Sequence, residues 1–177
     1  LPFEHALHDQ DMPAIKRLLL EVGSVKKRFQ PDLVHMHTSL GGAYFQLMTR
    51  SQHPSPMLFS LHYFNPAASA GENSLMGLLL HASDHVAAVS AFMRNCGIGL
   101  VPSIAGCSSV ILNGVPPPSI APLPLPFDPP RLVTYGRVVA EKGFDIALRA
   151  LALVREHRPD ARLVVAGDGN ALLDLVA

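Results

Sequence analysis

This sequence has little charge and no excess of either sign. Asp, Glu, Lys and Arg make up 16% of its 177 residues, and fourteen basic against fourteen acidic side chains leave a formal net charge of zero. Affinity for nucleic acid rests chiefly on clustered Lys and Arg that neutralise phosphates, so no nucleic-acid partner is expected. Cysteine is scarce too. Cys96 and Cys107 make no disulfide framework, and their eleven-residue separation matches no common zinc spacing; both read as ordinary reduced thiols. No apolar run approaches the roughly 18 to 20 residues that span a bilayer, and the opening LPFEHALHDQ lacks the basic-then-apolar pattern of a signal peptide. The default expectation is a cytoplasmic protein.

What is present is apolar: 49% of the residues are hydrophobic and the mean hydropathy is +0.26. That surplus suits elements buried on both faces, as in a parallel sheet between helices. The length allows one large domain or parts of two. The chain opens on an apolar stretch rather than on Met and closes at LLDLVA in what reads as mid-helix, so both boundaries are expected to be cut.

Asp11 followed by Pro13 predicts a helix start, since the carboxylate accepts from free amides and the proline ring sits where an N–H is not needed. Ile15, Leu18, Leu19 and Val22 recur at helical spacing, Val25 and Phe29 continue the stripe, and Pro31 stops it. Lys26, Lys27 and Arg28 then favour the C-terminal dipole. A strand over Leu33–Met36 leads to a helix opened by Gly41-Gly42. The same grammar repeats with a strand over 57–61, a helix over 73–81, a strand over 85–89, a helix over 90–96 capped by Ser90, and a strand over 109–112 ending in an Asn113-Gly114 turn. Alternating strands and helices predict a parallel sheet with right-handed crossovers.

Residues 116–130 hold eight prolines in fifteen positions, a density that excludes helix and central strand and predicts a stiff connection. The domain boundary is placed there: residues 1–115 form a first Rossmann-like unit that lacks its start, and 131–177 begin a second. The second has a strand over 132–135, a helix over about 142–157 burying Ala147, Ala150, Leu151 and Val154, and a strand over 163–166 closed by Gly167-Asp168-Gly169. Ligands of such folds sit outside the carboxyl ends of the strands, which for a facing pair is the cleft between the domains.

The segment Tyr135-Gly136-Arg137 through Glu141-Lys142-Gly143 carries the strongest chemical signal. A glycine and an arginine at a strand's end, with a lysine and a glycine at the next helix's start, bring two permanent cations near free helix amides, a setting that attracts anions. On spacing alone, a diphosphate site and a pair of solvated loop charges are equally open. His35 and His37 form an H-x-H whose members share a strand face, but no third ligand is evident and a structural role is favoured over metal binding. Gly167 and Gly169 permit close backbone approach to a ligand; a plain strand-end turn fits as well. His81, Asp84 and His85 carry no assigned catalysis. Ser90 lacks a G-x-S-x-G context, which disfavours a hydrolase.

The run GRVVAEKGFDIALRALALVREHRPDARLVVAGDGN resembles the start of the C-terminal domain in glycosyltransferase family 4, a retaining group with the GT-B fold. PDLVHMHTSLGG, LFSLHYF, DHVAAVSAFMR and SVILNGV match upstream in the family's order. The resemblance implies two facing Rossmann-like parallel-sheet domains, both incomplete here. It implies hexosyl transfer from a nucleoside diphosphate sugar to a hydroxyl of a glycan or glycolipid acceptor, with no cofactor or metal. By position it assigns the donor diphosphate to Gly136, Arg137 and Lys142, with Gly167 and Gly169 near the donor, and makes His62 the catalytic residue facing the reacting sugar. Some relatives work on membrane-bound acceptors, so Lys16, Arg17, Lys26, Lys27 and Arg28 admit peripheral contact at the inner face of a membrane, although a solvated helix face is favoured.

Two features of the family are absent from these residues: the glycine-rich loop expected before Leu1, and the pair of glutamates seven residues apart expected beyond Ala177. The 177 residues alone are therefore expected to be inactive. The alternatives are a non-catalytic nucleotide- or partner-binding module of the same fold and a GT-B sugar-nucleotide epimerase; the GR-to-KG spacing and the order of segments favour the transferase. Exposed sheet edges and an unburied helix face also predict low stability, with only the first domain folding well. Thermal denaturation checks this, and a single cooperative transition of the whole chain contradicts it.

Overall fold

A computed structural model describes residues 3–37, 40–64, 71–121, 124 and 127–176. The chain falls into two compact units, Leu1–Pro116 and Pro117–Ala177. Residues 122, 123, 125 and 126 of the proline-rich stretch, and Thr38 and Ser39 of the PDLVHMHTSLGG segment, lie outside the described residues.

The first unit runs α1 (Phe3–His8), α2 (Met12–Phe29), β1 (Val34–His37), α3 (Leu40–Met48), β2 (Met57–Leu61), α4 (Leu75–Ala82), β3 (His85–Ala88), α5 (Ala91–Leu100) and β4 (Ser108–Val110), with short 3-10 turns at Arg50–Gln52 and Pro102–Cys107. The strands form one parallel sheet in the order β1-β2-β3-β4. Helix starts follow their caps. Asp11 Oδ1 accepts from Ala14 N at 3.0 Å, and Ser74 and Ser90 accept from Gly77 N and Met93 N, both at 3.1 Å. Each satisfies one amide that the helix itself leaves unpaired. α2 ends on Gln30 in the left-handed conformation, just before Pro31.

Alternation along the strands puts Met57, Phe59 and Leu61 of β2 with Val86 and Ala88 of β3 on one buried face. Against them pack Ala43 of α3, Met76, Leu79 and Leu80 of α4, and Val101 and Ile104. A second cluster joins Ala6, Ala14, Ile15, Leu18 and Phe45, and so ties α1 and α2 to α3. No local signal announces α1, which is six residues long. Tertiary packing holds it: Phe3 meets Phe45 with ring centroids 4.6 Å apart, and Glu4 Oε1 accepts from Gly41 N at 3.1 Å at the start of α3.

Three further details depart from expectation. α5 continues past Cys96 to Leu100 because Gly97 is placed for packing: a Cβ there would stand 3.2 Å from Ile104 Cδ1 and 3.3 Å from Leu61 Cδ2. Asn113-Gly114 forms no turn; the last pairing step is Ile111 N donating to Ala88 O at 2.9 Å, and no hydrogen bond closes a loop beyond it among the described residues. The basic end of α2 is also split. Lys26 lies eleven residues, three turns, after Ile15, on the centre of the buried side, and is 7% exposed, whereas Phe29 is 77% exposed. Its Nζ donates to Thr49 Oγ1 at 2.9 Å, and Thr49 Oγ1 donates to Phe45 O at 2.6 Å. Of the five cations read as one helix face, Lys26 is therefore not on the surface.

The second unit contains β5 (Arg131–Tyr135), a 3-10 turn at Ala140–Lys142, α6 (Phe144–His157), β6 (Arg162–Ala166) and α7 (Leu172–Val176). β5 and β6 pair in parallel from Arg131↔Arg162 to Tyr135↔Ala166. α6 starts at Phe144, two residues later than expected, because Gly143 takes the left-handed conformation at φ 66° and ends the turn before it. Its inner side is Phe144, Ala147, Leu148 and Leu151; Ala150 and Val154, expected there, are exposed. Burial of Phe144 below Gly136 sets that rotation. Arg158 bonds both Asp128 and Asp160, and its hydrogen bond to Asp160 holds that carboxyl below its ordinary value.

Burial pushes the Lys26 ammonium below the ordinary lysine value. The unfolded chain then binds more protons in the window between the lowered folded value and the ordinary one, so stability rises with pH across that window. Lys26→Met is expected to be neutral or stabilising by about 1 kcal/mol at neutral pH and to abolish the alkaline rise, read as urea midpoints against pH. A midpoint that falls at neutral pH would show that the bond to Thr49 outweighs desolvation.

Candidate functional site

The sheet face opposite the first unit's main core mixes apolar residues, Leu58, Ala87 and Val89 among them, with a set of histidines and serines. His35, His37, Ser60, His62, His85 and Ser109 fall on it by alternation and register. Each of three histidines leans along the sheet to the residue two steps beyond its own partner. His35 Nε2 meets Ser60 Oγ at 2.8 Å, His37 Nδ1 meets His62 Nε2 at 2.9 Å, and His85 Nε2 meets Ser109 Oγ at 2.8 Å. His35 and His37 also stack, with centroids 4.3 Å apart and planes at 39°. His37 is the last residue of β1 and His62 directly follows β2, so both stand at carboxyl ends of parallel strands, where α/β folds hold ligands. A groove of about 230 Å³ there is lined by His37, Ser60, His62, Val89 and Asn113. Asp84, by contrast, serves the opposite end of the strands: its Oδ2 accepts from Met57 N at 2.8 Å and its N donates to Met57 O at 2.9 Å.

In the second unit, backbone pairing runs on past the strands. Gly136 N donates to Ala166 O (3.1 Å), Val138 N to Asp168 O (2.8 Å) and Ala171 N to Val138 O (3.1 Å). Val138 is fully buried, which anchors the loop beside Arg137. The two glycines of Gly167-Asp168-Gly169 make this approach feasible. A Cβ on Gly167 would stand 1.9 Å from Gly136 O, and one on Gly169 would stand 2.1 Å from Val138 O. Their close backbone contact is thus with the loop that carries Arg137. The side chains on that loop stay outside: Arg137 and Lys142 are exposed, and Arg137 Nη2 lies 3.9 Å from Glu141 Oε1, a distant exposed pair of little energetic weight.

Gly136, Arg137 and Lys142 therefore share one backbone-fixed loop that ends at the start of α6, whose first-turn amides and two nearby cations suit an anion. His62 belongs to the other unit and to the sheet face that carries the histidines. The pairing of His37 with His62 was not legible beforehand: H-x-H gives a shared face, but the partner across the sheet depends on register, and the two residues are twenty-five positions apart. Among the described residues, no three His, Cys, Asp or Glu side chains are arranged to hold a metal ion, and no helix is long and apolar enough to cross a membrane.

Gly167→Ala and Gly169→Ala are each expected to cost about 2 kcal/mol, the scale of overpacking against fixed atoms, and to speed hydrogen exchange of the Gly136 and Val138 amides. Unchanged exchange at both amides in either variant would contradict the buttressing role.

Residues 6–119 match the family described as Glycosyltransferase Family 4, and residues 118–176 match Glycosyl transferases group 1. The chain is similar to the uncharacterized glycosyltransferase YqgM of Bacillus subtilis (strain 168), at 24% identity over 183 positions, covering 96% of this chain and 47% of that protein. It thus spans about half the length of the curated relative it matches. The two matches follow one another along the chain as the two parallel-sheet units do, and with this mixed α/β, GT-B-type fold the chain belongs to glycosyltransferase family 4.

Proposed function

We propose that the protein transfers a glycosyl group from a nucleoside diphosphate sugar to a hydroxyl of a glycan or glycolipid acceptor, with retention of configuration. The observation that carries this reading is the loop from Gly136 to Gly143, held by backbone pairing while its two cations face outward. Arg137 offers a planar fork of donors to phosphate oxygens and Lys142 a compact charge, and the α6 amides add a third positive element.

As the bond between the anomeric carbon and the phosphate oxygen breaks, its electron pair leaves with the diphosphate. Fixed cations stabilise that growing charge without reorganising, which is where binding energy lowers a barrier. The acceptor oxygen forms its bond on the same face, and its proton passes to an oxygen of the departing phosphate. No protein nucleophile is required. His62 orients the transferred sugar by a hydrogen bond. A binding module and an epimerase of the same fold would share the diphosphate site and differ in lacking an acceptor product.

Titration with inorganic pyrophosphate and with UDP, ADP and GDP, followed through backbone amide shifts, tests the reading. Shifts should centre on residues 136–146. Arg137→Ala and Lys142→Ala should each weaken binding by about tenfold or more, the scale of a charge-assisted hydrogen bond. Equal affinity in both variants would remove the assignment.

A further inference from the structure

The outward face of α2 carries charge that the rest of the chain leaves unanswered. Lys16, Leu20 and Lys27 lie along one row of the helix, and Arg17, Ser24 and Arg28 along the next. All six are exposed, Leu20 by 76%. Elsewhere Arg50, Arg137, Arg149 and Arg158 each have a carboxylate partner. Among the described residues, no carboxylate stands within ion-pair distance of Lys16, Arg17, Lys27 or Arg28, and Glu21 is the only acid on the helix. A chain of zero formal charge thus gathers four exposed cations against one carboxylate on a single helix. Between this face and the 3-10 turn at Arg50–Gln52 runs a groove of about 470 Å³, lined in part by Leu20, Gly23, Ser24, Lys27, Arg28 and Gln52. Its donors are two cations, a hydroxyl and a carboxamide, and its wall at Leu20 is apolar.

We propose that this face of α2 docks on an anionic lipid surface, with phosphate headgroups at Lys16, Arg17, Lys27 and Arg28 and the Leu20 side chain at the boundary with the acyl chains. The pairs at 16–17 and 27–28 stand roughly 16 Å apart along the helix axis. One phosphate cannot reach both, so they suit a plane of charges rather than a single anion. Leu20 lies between them, where a soluble anion has no use for it and a lipid surface does. Cations without carboxylate partners give their full charge to such a surface, within a Debye length of it. Docking of this kind stands apart from the transfer reading and from the loop at Arg137, so the failure of one leaves the other untouched.

Cosedimentation with phosphatidylcholine vesicles, with and without phosphatidylglycerol, tests the docking. Binding is expected only with phosphatidylglycerol, and should fall as salt rises. Lys16→Gln, Arg17→Gln, Lys27→Gln and Arg28→Gln should each weaken it by roughly fivefold, and Leu20→Ser by roughly tenfold. All five positions are exposed, so these variants should keep the fold. Arg131→Gln combined with Arg155→Gln removes two exposed cations of the second unit and should leave vesicle binding as it was. Soluble polyphosphate separates a lipid surface from an anion in solution: Leu20→Ser should not change its binding. Absence of salt-sensitive binding to phosphatidylglycerol vesicles overturns the proposal, and so does an equal loss in the Arg131 and Arg155 variant, which would make net charge the cause. Vesicle binding unchanged in Leu20→Ser, with polyphosphate held as tightly as vesicles, would show a site for soluble polyanions and overturn the lipid assignment.

Discussion

Parallel pairing in register, carried a few residues past the strand ends, is the constraint on which the candidate site of each unit depends. In a parallel ladder the loops at the carboxyl ends leave from neighbouring points, so backbone groups there can keep bonding after the strands have formally stopped. In the second unit this fixes Gly136 and Val138 against Ala166 and Asp168. In the first it places His37 opposite Ser60 and therefore diagonal to His62. Both arrangements rely on strands not slipping by a residue, since a slip of one would turn His62 to the core face and Leu61 out of it.

That constraint gives two of the glycines a structural role of their own. Gly167 and Gly169 are required because two backbones meet where a Cβ would stand about as close as a covalent neighbour. The loop that carries Arg137 is thereby rigid at its root, with Val138 buried, and free at its tips, where the guanidinium and the ammonium remain in solvent. In the proposed diphosphate role, a rigid root would keep the cations on station, while solvated tips would avoid desolvating a charge before an anion arrives to compensate it.

Much of the fold was legible from local signals. Asp11, Ser90 and Pro31 bound helices where their chemistry demands, β2 is found over Met57–Leu61 as read, and the alternation of strands with helices does correspond to parallel sheets. Periodicity failed where tertiary packing took over. α1 is held by Phe45 and the contact of Glu4 with Gly41, neither of which a six-residue window contains. The helix read over 90–96 runs on to Leu100, with Gly97 a point of close packing inside it. Lys26 reads as a solvated charge beside Lys27 and Arg28, yet helical phase puts it on the buried side, where its ammonium donates to the Thr49 hydroxyl. The loop from Gly136 to Gly143 was visible as a composition of glycines and cations; its buttress from residues 166–171 was not, because the contact lies some thirty residues away.

The two candidate sites also differ in how they are held, and the difference fits the roles proposed for them. A diphosphate is a strong, diffuse anion, so a site for it needs positive potential in about the right place, and a backbone-fixed loop with exposed cations is sufficient. A sugar offers neutral hydroxyls whose donor and acceptor directions carry all the discrimination, so a residue that reads one must have its own donor and acceptor sense settled in advance. Backbone pairing cannot do that for an imidazole, because tautomer and ring angle lie beyond the reach of main-chain geometry. Neighbouring side chains can limit the ring angle, and on this sheet face His62 meets His37, which stacks on His35.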